Sequence, residues 1–274
     1  MRVFICADIE GVAGVVTRQQ TAISGFEYQQ AREWMTAEVA AACEGAMDAG
    51  ATEIVIADSH GEAQNLLLDG LPDQVQVVRS WPRPLAMMQG IETGPFAACL
   101  MIGHHTGVHH ADGVLAHTFA GLTIAGLRLN GNPASEISVN AAIAGHFGVP
   151  VTLVTGDDFT CQHARELLGP GVETVATKYA YGRLSARSLM PAEARRRIKA
   201  AAADAVTKAA GIEPLQPVTP LAVEVQFKNH WNAELLAYLP CFTRLDAVTI
   251  GFTAEDAPAL ARTLKFITSY TPVP

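Results

Sequence analysis

Two carboxylates lie one residue apart at the end of an apolar run near the start of the chain. The segment "RVFICADIEG" predicts a buried strand that ends in Asp8 and Glu10. Because side chains alternate faces along a strand, both carboxylates point the same way and repel each other unless a cation lies between them. The alternative is solvent exposure at a strand end, or a turn led by Gly11. Taken alone, the motif fits either arrangement.

Three more apolar segments end in groups that can bind metals. "EIVIADSH" supplies Asp58 and His60, "PVTLVTGDD" supplies Asp157 and Asp158, and "ACLMIGHHTGVHH" supplies His104, His105, His109 and His110. In an open α/β sheet ligands bind beyond the carboxyl ends of the strands, so these side chains are expected at one edge. Each alone has an ordinary alternative, a hydrogen-bonded loop histidine or an aspartate that caps a helix. Together, carboxylates and imidazoles without thiolates predict a zinc-type or mixed divalent metal site.

The elements that position these groups alternate along the chain. Helices are predicted over 26–49, 134–147 and 191–211, and strands over 2–8, 53–58, 75–78, 98–103 and 150–156. This order predicts an α/β fold with a mostly parallel, helix-covered sheet and the metal site at the strand C-terminal ends. A hairpin is predicted around Ala125-Gly126. A proline-rich linker, "GIEPLQPVTP", divides a catalytic domain (1–213) from a smaller C-terminal α+β lobe (214–274), with an approximate boundary.

Composition excludes several classes of function. The chain has 274 residues and a net charge of -8 without a basic stripe, so nucleic acid is not an expected partner. No stretch approaches the roughly 20 apolar residues of a membrane span, and the first apolar run is too short for a signal peptide. The five cysteines are scattered without a CxxC pair, which is typical of reduced residues. We therefore expect a cytoplasmic protein without a membrane partner.

Six short motifs, in order along nearly the whole chain, resemble the zinc-dependent D-aminopeptidases of bacterial dipeptide-transport operons. They are "DIEG", "DSH", "GHH", "GVLAH", "NPASEISVNA" and "GDD". The resemblance implies His117 as the catalytic histidine and, as metal ligands, Asp8, Glu10, His60, His105 and Glu136. It also implies two zinc ions per chain, a preference for D-residues and a decamer of two stacked rings.

The chemistry of the ligand set agrees with two metals. Three carboxylates and two imidazoles are too many for one tetrahedral zinc with an open position, but suit two ions about 3.5–4 Å apart. Two divalent ions balance three carboxylates and one bridging hydroxide, and Asp8 is our choice for the bridging ligand. The predicted reaction is attack of that hydroxide on the first peptide carbonyl of a short peptide. His117 would transfer the proton.

Several residues keep open interpretations. Adjacent strand residues face opposite ways, so one histidine of the His104-His105 pair is expected in the site, and registration on Gly103 favours His105. His109 and His110 are interpreted as loop residues near the site mouth. Residues that could bind substrate or support the ligands, and that also have ordinary structural interpretations, are His104, Asn140, Asp157, Asp158, Lys178 and Arg183. Of these, Lys178 and Arg183 are predicted in a Tyr/Gly-rich loop.

Two other functions compete with a metallo-aminopeptidase. The same metals could serve an amidohydrolase or esterase acting on another small substrate, although phosphate sites usually recruit fixed cations, which the predicted site lacks. A non-catalytic metal- or peptide-binding protein is the third possibility. The complete ligand set and His117 favour an enzyme.

Overall fold

The computed structural model describes residues 1–270, so the last four residues of the predicted C-terminal lobe lie outside the described residues. The helices are α1 (Arg18–Thr21), α2 (Tyr28–Asp48), α3 (Glu136–His146), α4 (Asp158–Leu168), α5 (Pro191–Lys208), α6 (His230–Leu236) and α7 (Ala257–Ser269). The strands are β1 (Arg2–Ala7), β2 (Glu53–Asp58), β3 (Val75–Val78), β4 (Ala98–Ile102), β5 (Ile124–Leu129), β6 (Asn132–Pro133), β7 (Val151–Asp157), β8 (Glu173–Gly182), β9 (Ser185–Ser188), β10 (Leu221–Phe227), β11 (Thr243–Arg244) and β12 (Thr249–Ala254).

The main sheet has seven strands in the order β3-β2-β1-β4-β7-β8-β9. All neighbours pair in parallel except β8 and β9, which are antiparallel. From β1 the chain adds β2 and β3 on one side, and β4, β7 and β8 on the other. The order therefore reverses between β1 and β4, and such a switch point opens a crevice at the carboxyl ends of the strands. The α/β prediction is confirmed.

Both faces of the main sheet are covered, which explains why its strands are almost continuously apolar. On β1, Val3 and Ile5 belong to the core shared with α2 and α5. Phe4 and Cys6 belong to the core on the opposite face, which also takes side chains from α3, α7 and the second sheet. Asp8 continues the alternation of Phe4 and Cys6, so it emerges on the side of α3.

The second sheet is antiparallel, with the order β11-β12-β10-β5-β6. The predicted hairpin exists, but its position was wrong: β5 runs straight through Ala125-Gly126, and the turn lies at Asn130-Gly131, where both residues have positive φ. β5 pairs with β10, so this sheet combines 124–133 with strands from the C-terminal lobe. A division at residue 213 therefore does not separate the two sheets.

The segment predicted as a Tyr/Gly-rich loop is the hairpin of β8 and β9. The prediction of a loop was wrong because β8 has mixed polarity, and its neighbours β7 and β9 supply the pairing that periodicity alone does not reveal. Among the helices of residues 1–270, none is long and apolar enough to cross a membrane.

Candidate metal centre

The loops that follow β1 and β4 touch at the switch point. The backbone N–H of Gly11 donates a hydrogen bond to the Gly103 carbonyl at 2.7 Å. A Cβ at Gly11 would lie 2.1 Å from the His104 carbonyl oxygen, and Gly103 has a φ of +75°. These two glycines therefore bring the segment that carries Asp8 and Glu10 against the segment that carries His105.

A loop organised by Asp58 presents His60. The Asp58 carboxylate accepts hydrogen bonds from the backbone N–H groups of Asn65 and Leu66. Nε2 of His60 donates to the Thr21 carbonyl at 2.8 Å, so Nδ1 is the nitrogen that faces the carboxylates. It lies 3.2 Å from Oδ1 of Asp8 and 3.0 Å from Oε2 of Glu10.

His105 and Glu136 close the cluster from the other side. Nδ1 of His105 donates to the Thr106 carbonyl at 2.9 Å, which turns Nε2 toward the carboxylates. This nitrogen lies 3.5 Å from Oδ2 of Asp8 and 3.3 Å from Oε1 of Glu136. Glu136 begins α3, whose first turn is capped by the Ser135 side chain. The five predicted ligands thus form one cluster.

His117 lies beside this cluster. Its ring stacks on His105 with centroids 4.1 Å apart and an interplanar angle of 10°. Nδ1 donates to the Leu115 carbonyl at 2.9 Å, which leaves Nε2 3.8 Å from Oε1 of Glu136. Burial and the neighbouring His105 lower the pKa of His117 below its usual value, so the ring is neutral at neutral pH.

Burial of these carboxylates costs free energy unless a cation lies beside them. Burial and the Glu10 charge raise the pKa of Asp8 to about 7. Burial would also raise the pKa of Glu136, but the charge and hydrogen bond of His105 lower it to about 2. Within residues 1–270, Nε2 of His105 and Oε2 of Glu10 are buried without a well-aligned hydrogen-bond partner. Lone pairs of buried carboxylates and oriented imidazoles, aimed at one point, fit a zinc-type ion.

Three of the other predicted residues lie outside the cluster. His104 is fully buried, and within residues 1–270 its ring nitrogens have no hydrogen-bond partner. Its neighbour His105 is therefore the histidine of the pair that faces the carboxylates. The Asn140 amide lies 3.5 Å from the Met87 sulfur and 3.8 Å from that of Cys6. Arg183 is exposed at the β8–β9 turn.

The remaining three shape the surrounding loops. Asp157 caps α4 through Thr160 and accepts a hydrogen bond from the Val114 N–H at 2.6 Å, so it anchors the loop that leads to His117. Asp158 accepts from the Ala180 N–H at 2.9 Å and ties α4 to β8. Lys178 lies inside β8, completely buried, and donates to the carbonyls of Glu10, Val12 and Val15. The interpretation of Lys178 as a substrate-binding residue is therefore wrong, because its buried ammonium is bound to backbone carbonyls.

A cavity of about 260 Å³ opens above the cluster. Its lining includes Asp8, Glu10, His60, His117 and Glu136. The opposite wall comes from Trp81 and from Leu264, Lys265 and Thr268 of α7. Lys265 places Nζ 3.8 Å from the centre of the Trp81 ring. The sequence contains no motif that marks this wall, because it depends on where α7 packs.

The fold and the site define a class of α/β protein with a carboxylate–imidazole metal centre in the switch-point crevice. The model of the D-aminopeptidase family, peptidase M55, matches residues 1–266. The chain therefore belongs to this family and is a peptidase.

Two comparisons with individual proteins support this family assignment. The chain is 29% identical to a D-aminopeptidase of Bacillus subtilis (strain 168) over 260 residues, which cover 93% of this chain and 92% of the relative. It also matches the solved structure of the Zn-dependent D-aminopeptidase DppA from Bacillus subtilis, a self-compartmentalizing protease. That match has a TM-score of 0.92 and 27% identity, and it covers 100% of both chains.

Proposed function

We propose that this protein is a zinc aminopeptidase that removes an N-terminal D-residue from short peptides. The observation that carries the proposal is the convergence of five groups beside the cavity: Asp8, Glu10, His60, His105 and Glu136. All but His60 are buried, and all but His105 line the cavity. These residues would hold two zinc ions. When bound, zinc ions in such a site activate a water molecule for hydrolysis and polarise the carbonyl that is attacked.

The chain's own groups would orient the substrate and move protons. Buried carboxylates border the inner end of the cavity, so a positively charged amino group is favoured there. His117 borders the same cavity with Nε2 free of the Leu115 hydrogen bond. In our proposal it takes a proton from the attacking water and delivers one to the leaving amine.

The opposite wall supports a short substrate. The cavity holds only about 260 Å³, and Lys265 of α7 lines it together with the carboxylates. A lysine that lines the same cavity as the amino-group site suits the carboxylate of a short peptide. The sequence-based expectation of a site region poor in cations did not include Lys265.

We also propose that the protein assembles into a homo-oligomer, as a decamer of stacked rings. Large apolar side chains are exposed on its surface, among them Phe26 at 80%, Tyr181 at 74% and Met190 at 74%. Where such side chains adjoin in one patch, they would form a contact between protein chains. A compartment formed by subunits would keep the site away from folded proteins in the cytoplasm, where we propose that the enzyme works.

Matched peptide substrates test the reaction. D-Ala-Gly and L-Ala-Gly with free and acetylated N-termini would be compared in the zinc-loaded enzyme. We expect cleavage to require the free amine and to favour the D-residue. Equal turnover of acetylated peptides would refute the aminopeptidase, whereas an L-preference would refute only the stereochemical part.

Elemental analysis tests the metal centre. Protein purified without chelator is expected to contain at least two zinc ions per chain. Asp8→Ala should lower that content, whereas the exposed control Asp69→Ala should not. Unchanged zinc in Asp8→Ala would contradict the proposed ligand set.

Light scattering that shows a monomer at micromolar concentration would refute the oligomer.

A further inference from the structure

Three histidines form a second cluster outside the centre described above. His109 and His110 lie in the loop between β4 and β5, and His163 lies in α4. Their ring centroids are 4.5 Å (109–110), 4.8 Å (110–163) and 5.9 Å (109–163) apart. One ring nitrogen from each residue lies within 4.8 Å of those of the other two.

The surroundings hold these rings in place. His163 is buried, and its Nε2 shares a 2.8 Å hydrogen bond with the Ser135 hydroxyl, which fixes the orientation of the ring. Oriented imidazoles of this kind are typical of metal ligands. A Cβ at Gly107 would lie 2.7 Å from Cε1 of His109, so that ring packs directly on the backbone.

His110 supplies a second, independent sign of a ligand. Its Nε2 is buried and has no hydrogen-bond partner within residues 1–270. A buried polar atom without a partner costs free energy, typically about 1–3 kcal/mol. A ligand that accepts the nitrogen lone pair would remove this cost, and the rings of His109 and His163 are its neighbours.

The chemistry of the cluster favours a late first-row divalent ion. Three imidazoles lie in contact, and each can offer a nitrogen lone pair to a cation. Neutral imidazoles suit zinc, copper and nickel. Three histidines also leave a fourth tetrahedral position open. His109 is exposed, so an ion can enter from solvent with a small movement of its ring.

We propose that His109, His110 and His163 bind a zinc ion, separate from the centre at Asp8 and Glu10. This site joins the β4–β5 loop to α4 and, through Ser135, to the start of α3. The same loop carries His105 and His117, and α3 carries Glu136. A zinc ion here therefore braces the segments that position one side of the catalytic cluster.

The test counts zinc in untagged full-length protein. Chelator-treated protein is reloaded with zinc, dialysed and analysed for metal per chain. The double variant His109→Ala/His110→Ala is expected to bind one zinc fewer than the wild type. The control His146→Ala, which removes an exposed histidine at the end of α3, should bind the wild-type amount. Circular dichroism checks that each variant is folded.

A second variant separates this proposal from the proposed function. Asp8→Ala is expected to lose zinc from the other centre but to keep the ion at the three histidines. In the metal-free form of that variant, one added equivalent of Cu²⁺ should show nitrogen couplings in its electron paramagnetic resonance spectrum, and these should disappear when His109 and His110 are also replaced. Equal zinc content in the wild type and the double histidine variant would overturn the site, whatever the behaviour of Asp8→Ala.

Discussion

Replacement of the buried Lys178 by Met should destabilise the loop that carries Glu10. The Lys178 side chain is 0% exposed, and its ammonium donates hydrogen bonds to the carbonyls of Glu10, Val12 and Val15. Met fills a similar volume, but it has neither a charge nor a hydrogen-bond donor. The substitution therefore leaves three buried carbonyls without this partner and creates little cavity.

The expected change in the free energy of unfolding is the sum of two opposing contributions. A buried acceptor left without a donor costs about 1–3 kcal/mol. The Val12 carbonyl still accepts from the Val15 N–H, so the carbonyls of Glu10 and Val15 together lose roughly 2–6 kcal/mol. Burial lowers the pKa of Lys178 from 10.5 to about 8, and Asp157, Glu38 and Glu10 offset this only in part. Holding the charged form thus costs about 3 kcal/mol, which Met does not incur. The net loss is about 1 kcal/mol, or roughly 2–4 °C in Tm.

The difference between wild type and variant should also depend on pH. The native state releases the Lys178 proton near pH 8, whereas the unfolded chain keeps it until about 10.5. Between these values the unfolded chain binds more protons, so this group adds stability as the pH rises. Lys178→Met lacks the group, and its deficit should therefore grow from pH 7 to pH 10.

Urea unfolding of chelator-treated protein, at one protein concentration and at pH 7 and pH 10, measures both effects. Lys199→Met is the control, because the Lys199 side chain is partly exposed and forms surface ion pairs with Glu44 and Asp48. Surface substitutions of this kind stay within about 0.5 kcal/mol. A change of that small size for Lys178→Met, with no growth at pH 10, would refute the reasoning.

Three further substitutions probe the site. Gly11→Ala puts a Cβ 2.1 Å from a backbone oxygen, so it should separate the loops that follow β1 and β4. We expect it to lower the free energy of unfolding in urea by about 1–3 kcal/mol and to lower the zinc content. Gly182→Ala is its control, because a Cβ at Gly182 meets open space. His117→Ala should lower kcat about 10²–10⁴-fold with zinc content unchanged, and loss of zinc would make it a ligand instead. Lys265→Met should raise KM about 5-fold for D-Ala-Gly but not for D-Ala-Gly amide. A change of about 5-fold corresponds to the loss of a partly exposed ion pair, and an equal change for both substrates would exclude a carboxylate contact.

The sequence by itself determined the strand ends and most of the carboxylate cluster. A short apolar strand shows its register locally, because alternation assigns Asp8 and Glu10 to one face. The parallel-sheet rule then places His60 at the same edge without any knowledge of distances. The choice of His105 over His104 followed from the resemblance, whose motif is registered on Gly103, the residue after β4.

Contacts between distant segments were decided only by the tertiary structure. Lys178 looked like a loop residue, because nothing near it in the chain shows that its ammonium meets carbonyls more than 160 residues away. The hairpin at 124–133 joins a strand from the C-terminal lobe, and α7 brings Lys265 to the cavity. His163 meets His109 in the same way. These contacts depend on how helices and sheets pack, and packing is set by complementary surfaces that local periodicity does not encode.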